Sequence, residues 1–79
     1  MSYKILAKHN GVPTIKSLLL EETNELIEAI EENYETDIIQ EMADVVNLIK
    51  QYVYATGQEQ EFNNQFEYKV KRAKERLGI

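Results

Sequence analysis

The residues best placed to do chemistry are four acids arranged in two pairs. Glu22 and Glu25 lie three apart, and so do Glu41 and Asp44. On a helix that spacing puts both side chains of a pair on one face, with Cβ atoms about 5–6 Å apart. Two antiparallel helices joined by a short turn would bring the pairs together as a nest of four carboxylates. Such charges cannot share a partly buried site without a cation. Hard divalent ions take oxygen ligands, and Mg²⁺ keeps waters and favours substrate phosphates. The chain has no cysteine and one histidine, His9, so thiolate and zinc sites are excluded. Mg²⁺, with Mn²⁺ as a possible substitute, is the expected ion.

Glutamate is common on solvated helix faces, and this chain also carries Glu21, Glu28, Glu31, Glu32 and Glu35. One Glu-x-x-Glu pair alone therefore says little. Glu22 is more informative, because on a helical wheel it falls in the middle of an apolar stripe of Ile15, Leu18, Leu19, Leu26, Ala29 and Ile30. A charge there is costly unless it is paired or metal-bound. The alternative to a metal is an ion pair with Lys50 or Arg72.

The elements that must position these acids are helical. Asn10-Gly11 is a turn or a helix stop, and Pro13 suits the first position of a new helix. One helix is expected from Thr14 to about Asn33, a second from about Thr36 to Thr56, and a third from about Glu59 to Leu77, stopped by Gly78. The segment from Ser2 to His9 reads either as a short helix or as an extended arm. No period-2 segment argues for a sheet. The class is all-α, an antiparallel hairpin plus a third long helix, forming one domain over residues 1–79.

The middle helix shows a wide apolar face of Ile38, Met42, Val45, Val46, Ile49, Tyr52 and Val53, with Leu48 and Ala55 on one flank. Glu41 and Asp44 lie on that same flank. Leu20 and Ile27 make a second ridge on the first long helix. The last helix has a narrow stripe of Phe62, Phe66, Val70, Ala73 and Leu77, flanked by Lys69, Arg72 and Arg76. A 79-residue chain has too little material to cover all of these surfaces, so at least a dimer is expected. Oligomerisation, a bound ion or both would staple so small a core.

Composition excludes some functions. Nine basic against 14 acidic residues give a net charge of −5, which disfavours nucleic-acid polymers and anionic membranes as partners. No apolar run is long enough to span a bilayer, and residues 1–8 lack the apolar stretch of a signal peptide, so the cytoplasm is the expected compartment.

Taken together, Leu20-Glu21-Glu22-Thr23-Asn24-Glu25-Leu26 and Glu41-Met42-Ala43-Asp44-Val45-Val46-Asn47-Leu48-Ile49 resemble the MazG-type all-α nucleoside triphosphate pyrophosphohydrolases. The signature of that family is Glu-x-x-Glu, a gap, then Glu-x-x-Asp on consecutive antiparallel helices. The resemblance implies that Glu22, Glu25, Glu41 and Asp44 hold Mg²⁺. It implies hydrolysis of a nucleoside triphosphate to monophosphate and pyrophosphate, in dimers or tetramers that share four-helix units between chains. One of the four acids, Glu41 among them, or Glu21 beside the pairs, would then orient or deprotonate the attacking water.

A triphosphate calls for positive charge facing the metal. Lys69, Arg72 and Arg76 are the candidates, with Lys50 a lesser one; their alternative is a solvated flank. Asn47, one turn beyond Asp44, could read a base, hold a ligating carboxylate in place, or be an ordinary polar surface residue. Core packing is expected for Tyr52 and an interface for Tyr54, and His9 is expected only to cap a helix. Phosphoribosyl-ATP pyrophosphohydrolases carry a Tyr-His pair where this chain has Asn47 and Leu48, which disfavours that substrate. The competing functions are a non-catalytic helical interaction module and a nucleotide-binding sensor.

Overall fold

The computed structural model describes residues 2–79. It contains helices α1 (Tyr3–Asn10), α2 (Val12–Glu32), α3 (Glu35–Ala55) and α4 (Glu59–Leu77). Among the described residues there is no strand.

Local chemistry explains the boundaries. The segment open to two readings is a helix, because the Ser2 hydroxyl accepts from the Lys4 N–H at 3.0 Å and caps its first turn. Gly11 ends α1 and begins α2 at φ 78°, ψ 161°, a backbone region essentially reserved for glycine, and its N–H bonds the Ala7 carbonyl at 3.0 Å. Pro13 sits in the first turn of α2, where its missing N–H is not needed, so this helix starts at Val12 rather than Thr14. Asn33 turns the chain at φ 60°, ψ 40°, a left-handed conformation that asparagine tolerates better than most side chains. Glu35 and Asp37 then open α3, where their charge suits the positive end of the helix dipole.

With so short a connection, α2 and α3 fold back as an antiparallel hairpin. Ile15 of α2 meets Leu48 of α3, and two turns along Glu22 meets Glu41. Helix α1 lies across α3 and touches α2. Ala7, Ile15 and Leu48 are the buried cluster, with Leu18, Leu19 and Tyr54 packed around it.

Burial on α3 departs from the wheel. The buried residues are Leu48 and Gln51, on the flank, whereas Met42, Val46 and Tyr52 of the wide apolar face are exposed. The physical reason is topological: α1 and α2 cover the Leu48 side fully, leave Ile38, Val45, Ile49 and Val53 half-buried, and do not reach the far edge of the wide face. Tyr52, expected in the core, is exposed for the same reason, and Tyr54, expected at an interface, packs within the chain. Tyr54 packs edge-on against Tyr3, with ring centroids 6.5 Å apart, while Tyr52 faces outward.

Helix α4 leaves the hairpin after Thr56-Gly57 and packs lightly, mainly on α3. The Tyr3 hydroxyl donates to Glu59 Oε2 at 3.4 Å and ties its start to α1. Beyond that the apolar stripe of α4 is bare, with Phe66 62% and Leu77 73% exposed. The radius of gyration is 14.7 Å. A compact chain of this length would have about 12 Å. No helix among the described residues is long and apolar enough to cross a membrane.

Ile15 is fully buried and joins all three packed helices. Ile15→Ala should destabilise the protein by about 2–4 kcal/mol in urea unfolding at fixed protein concentration. A loss below about 1 kcal/mol would mean that the Ala7–Ile15–Leu48 contact is not the core.

Candidate metal centre

The antiparallel register of the hairpin decides which acids meet. Glu22 points from α2 into the interface, and Glu41 and Asp44 rise from consecutive turns of α3 to face it. One oxygen from each of these three residues lies within 4.8 Å of the others. Glu22 and Glu41 are half-buried and Asp44 is exposed at the rim.

Two of these oxygens are orphans. Glu22 Oε2 and Glu41 Oε2 are buried and have no hydrogen-bond partner. As carboxylates both groups are acceptors only, so they cannot bond one another until one takes up a proton. The Glu22 carboxyl accordingly holds its proton far above the ordinary range, with a pKa raised from 4.5 to about 8. The largest cause is the neighbouring Glu41 carboxylate, to which a protonated Glu22 can donate. Burial comes next, followed by hydrogen bonding to Glu25 and the negative charges of Glu25 and Glu41.

Glu25 lies outside the closest group but is near enough to perturb Glu22. Its own side chain is exposed. No lysine or arginine is among the groups that perturb Glu22, so the ion pair with Lys50 or Arg72 offered as an alternative is not formed. Lys50 instead places its ammonium 5.7 Å from the centre of the Tyr3 ring, in a cleft that also includes Glu59 and Phe62. Lys69, Arg72 and Arg76 lie on the free part of α4 and are exposed, as is Glu21. His9 is exposed in the last turn of α1.

Asn47 is half-buried one turn beyond Asp44, and its Oδ1 accepts from Gln51 Nε2 at 3.1 Å. Gln51 Oε1 in turn accepts from Asn10 Nδ2 at 2.9 Å. Sequence reasoning missed Gln51 and Asn10. The available signal was Gln51 lying one turn beyond Asn47 on the flank that also carries Leu48 and the acids.

The donor set suits a divalent ion. It is made only of hard oxygens and contains two buried oxygens that no protein group satisfies.

The family model for the MazG nucleotide pyrophosphohydrolase domain matches residues 10–76. The chain belongs to the MazG family. That family is generally dependent on a divalent metal, in keeping with the acidic cluster between α2 and α3. No curated protein and no solved structure gives a significant match. The matched span leaves out most of α1 and includes the whole of α2 and α3 with nearly all of α4, so the acidic hairpin of this MazG chain lies entirely within it.

The raised Glu22 pKa has a measurable sign. Between about pH 4.5 and 8 the folded protein binds a proton that the unfolded chain has released, so metal-free stability falls as pH rises through that window. Melting with EDTA at pH 5 and pH 8 should show this fall, and Glu22→Gln should remove it. A fall of equal size in Glu22→Gln would assign it elsewhere.

Proposed function

We propose that the chain hydrolyses a nucleoside triphosphate to the monophosphate and pyrophosphate in a Mg²⁺-dependent reaction, clearing or regulating nucleotide pools in the cytoplasm. The carrying observation is the meeting of Glu22, Glu41 and Asp44 around two unsatisfied buried oxygens, in a chain of the MazG family. Glu22, Glu25, Glu41 and Asp44 are assigned as the metal ligands, with Mn²⁺ able to replace Mg²⁺.

Bound there, the ion supplies charge neutralisation for the phosphate oxygens and lowers the pKa of a coordinated water. The work of the chain is then positional. The α2–α3 hairpin fixes the carboxylates before substrate arrives, and half-burial strengthens their field. Glu41 accepts the proton of the water added across the α–β phosphoanhydride; Glu21, exposed beside Glu22, is the second candidate. Asn47 borders the centre from the next turn of α3. Lys50, held against Tyr3, remains a lesser candidate for the phosphates.

Lys69, Arg72 and Arg76 enter this reading through assembly, as a homodimer or homotetramer. Charge divides sharply along the chain: residues 12–55 carry ten acids and two lysines, while residues 69–76 carry five basic residues and one acid. Within one chain these regions are held apart, because α4 points away from the hairpin. An apolar groove lined by Leu19, Ile49, Tyr52, Val53 and Phe62 lies where α4 departs. A second copy laying the Phe66–Val70 stripe of its α4 against this surface would cover apolar area. It would also bring its basic flank toward the acids and the phosphates.

Pyrophosphate release should be measured across a panel of canonical and modified nucleoside triphosphates, with Mg²⁺ and with EDTA. Release only with Mg²⁺ is expected, and Glu41→Gln should stay folded while losing at least about a hundredfold in kcat. No release at a concentration where the oligomer is intact would favour the interaction module or the nucleotide sensor. Sedimentation should show a dimer or tetramer that Phe66→Asp dissociates; a wild-type monomer at working concentration would remove the role given to α4.

A further inference from the structure

Gln51 is a polar side chain only 2% exposed. It lies on α3, one turn beyond Asn47 and two beyond Asp44. Both ends of its amide are used: the oxygen accepts from Asn10 Nδ2 at 2.9 Å, and the NH₂ donates to Asn47 Oδ1 at 3.1 Å. Burying a carboxamide is costly unless both ends are paired, so this line of three amides is firmly held.

A carboxamide has one donor end and one acceptor end. Polarity therefore propagates along the line. Asn10 donates, Gln51 passes the direction on, and the Asn47 oxygen accepts at the end of the line. The group left to face outward is the Asn47 NH₂. Asn47 lies one turn along α3 from Asp44 on a similar side, so its side chain stands within one helical turn of the exposed rim of the acidic centre. Glu22, Glu41 and Asp44 are acceptors when ionised and cannot recognise another acceptor directly. The Asn47 amide supplies a neutral donor beside them.

We infer that Asn10 and Gln51 are positioning residues that set Asn47 as a hydrogen-bond donor to an acceptor oxygen of the bound nucleotide. This rests on the hydrolase reading for the nature of the ligand, but it concerns binding and not the chemical step. The oxygen belongs either to a phosphate or to the base, and the two sources are separable.

Asn10→Asp reverses the line from its far end. The introduced carboxylate can only accept, so Gln51 turns to donate to it, and the Gln51 oxygen takes the Asn47 NH₂. Asn47 then presents its oxygen. Asn10→Ala removes a partner without forcing this reversal. Calorimetric affinities should be measured for Mg²⁺ complexes of non-hydrolysable α,β-imido nucleoside triphosphates. Asn10→Asp is expected to weaken binding tenfold or more, and Asn10→Ala by less than about threefold. A purely structural role gives the alanine variant at least as large a loss. Wild-type affinity in Asn10→Asp, or a loss no greater than in Asn10→Ala, overturns the inference.

Should the aspartate variant not fold, the wild type still decides. The Asn47 side-chain NH₂ resonances should shift downfield when the analogue binds, and unchanged resonances overturn the inference. A shift with Mg²⁺-tripolyphosphate alone assigns the phosphate oxygen; a shift seen only with nucleotides assigns the base. Wild-type protein that binds no analogue also overturns it. Binding without pyrophosphate release from authentic substrates instead overturns the hydrolase reading, and the relay then stands or falls on the affinities.

Discussion

The rest of the structure turns on one electrostatic conflict: Glu22 of α2 faces Glu41 of α3 across the main helix–helix interface, with Asp44 at its edge. Elsewhere along that interface the contacts are apolar, as where Ile15 meets Leu48. At Glu22 an apolar residue would pack without penalty. The chain instead holds acceptor against acceptor, leaves an oxygen of each unsatisfied, and keeps a proton on Glu22 well above the usual carboxylate range. A proton is a weak substitute for a divalent ion here, since it satisfies one pair of oxygens and leaves the remaining charges unneutralised.

That conflict is tolerated because the hairpin is held from outside it. Helix α1 clamps α3 through Ala7 and the Asn10–Gln51 hydrogen bond, and the turn at Asn33 closes the other end. The acids lie between these two fixed points. The same small size leaves the chain short of cover, so the wide face of α3 and the stripe of α4 stay exposed on a single copy. The hairpin thus gives part of its inner face to carboxylates and leaves much of its apolar surface uncovered.

Much of this is legible in the residues. The three long helices follow from apolar periodicity and from the stops at Gly11 and Gly78. The position of Glu22 within an apolar stripe singles it out from the many other glutamates. What the wheel does not contain is which part of a broadly apolar helix its own chain will cover. That depends on where α1 lies, and eight residues carry too little pattern to place it. Hence the wheel buries Met42, Val46 and Tyr52, which are exposed, and passes over the buried Gln51. The direction of α4 is equally invisible, because a stripe and a basic flank do not say whether their partner belongs to the same chain or to another.

The most direct test of the central claim is the proton count of metal binding. Mn²⁺ should be titrated calorimetrically into metal-free protein, in buffers of different ionisation enthalpy, at pH 7 and pH 9. If the ion displaces the proton held between Glu22 and Glu41, close to one proton per site leaves at pH 7 and far less at pH 9, where Glu22 has already ionised. Binding that releases no proton at pH 7, or no binding at all, would contradict the account of the acidic cluster as a metal centre.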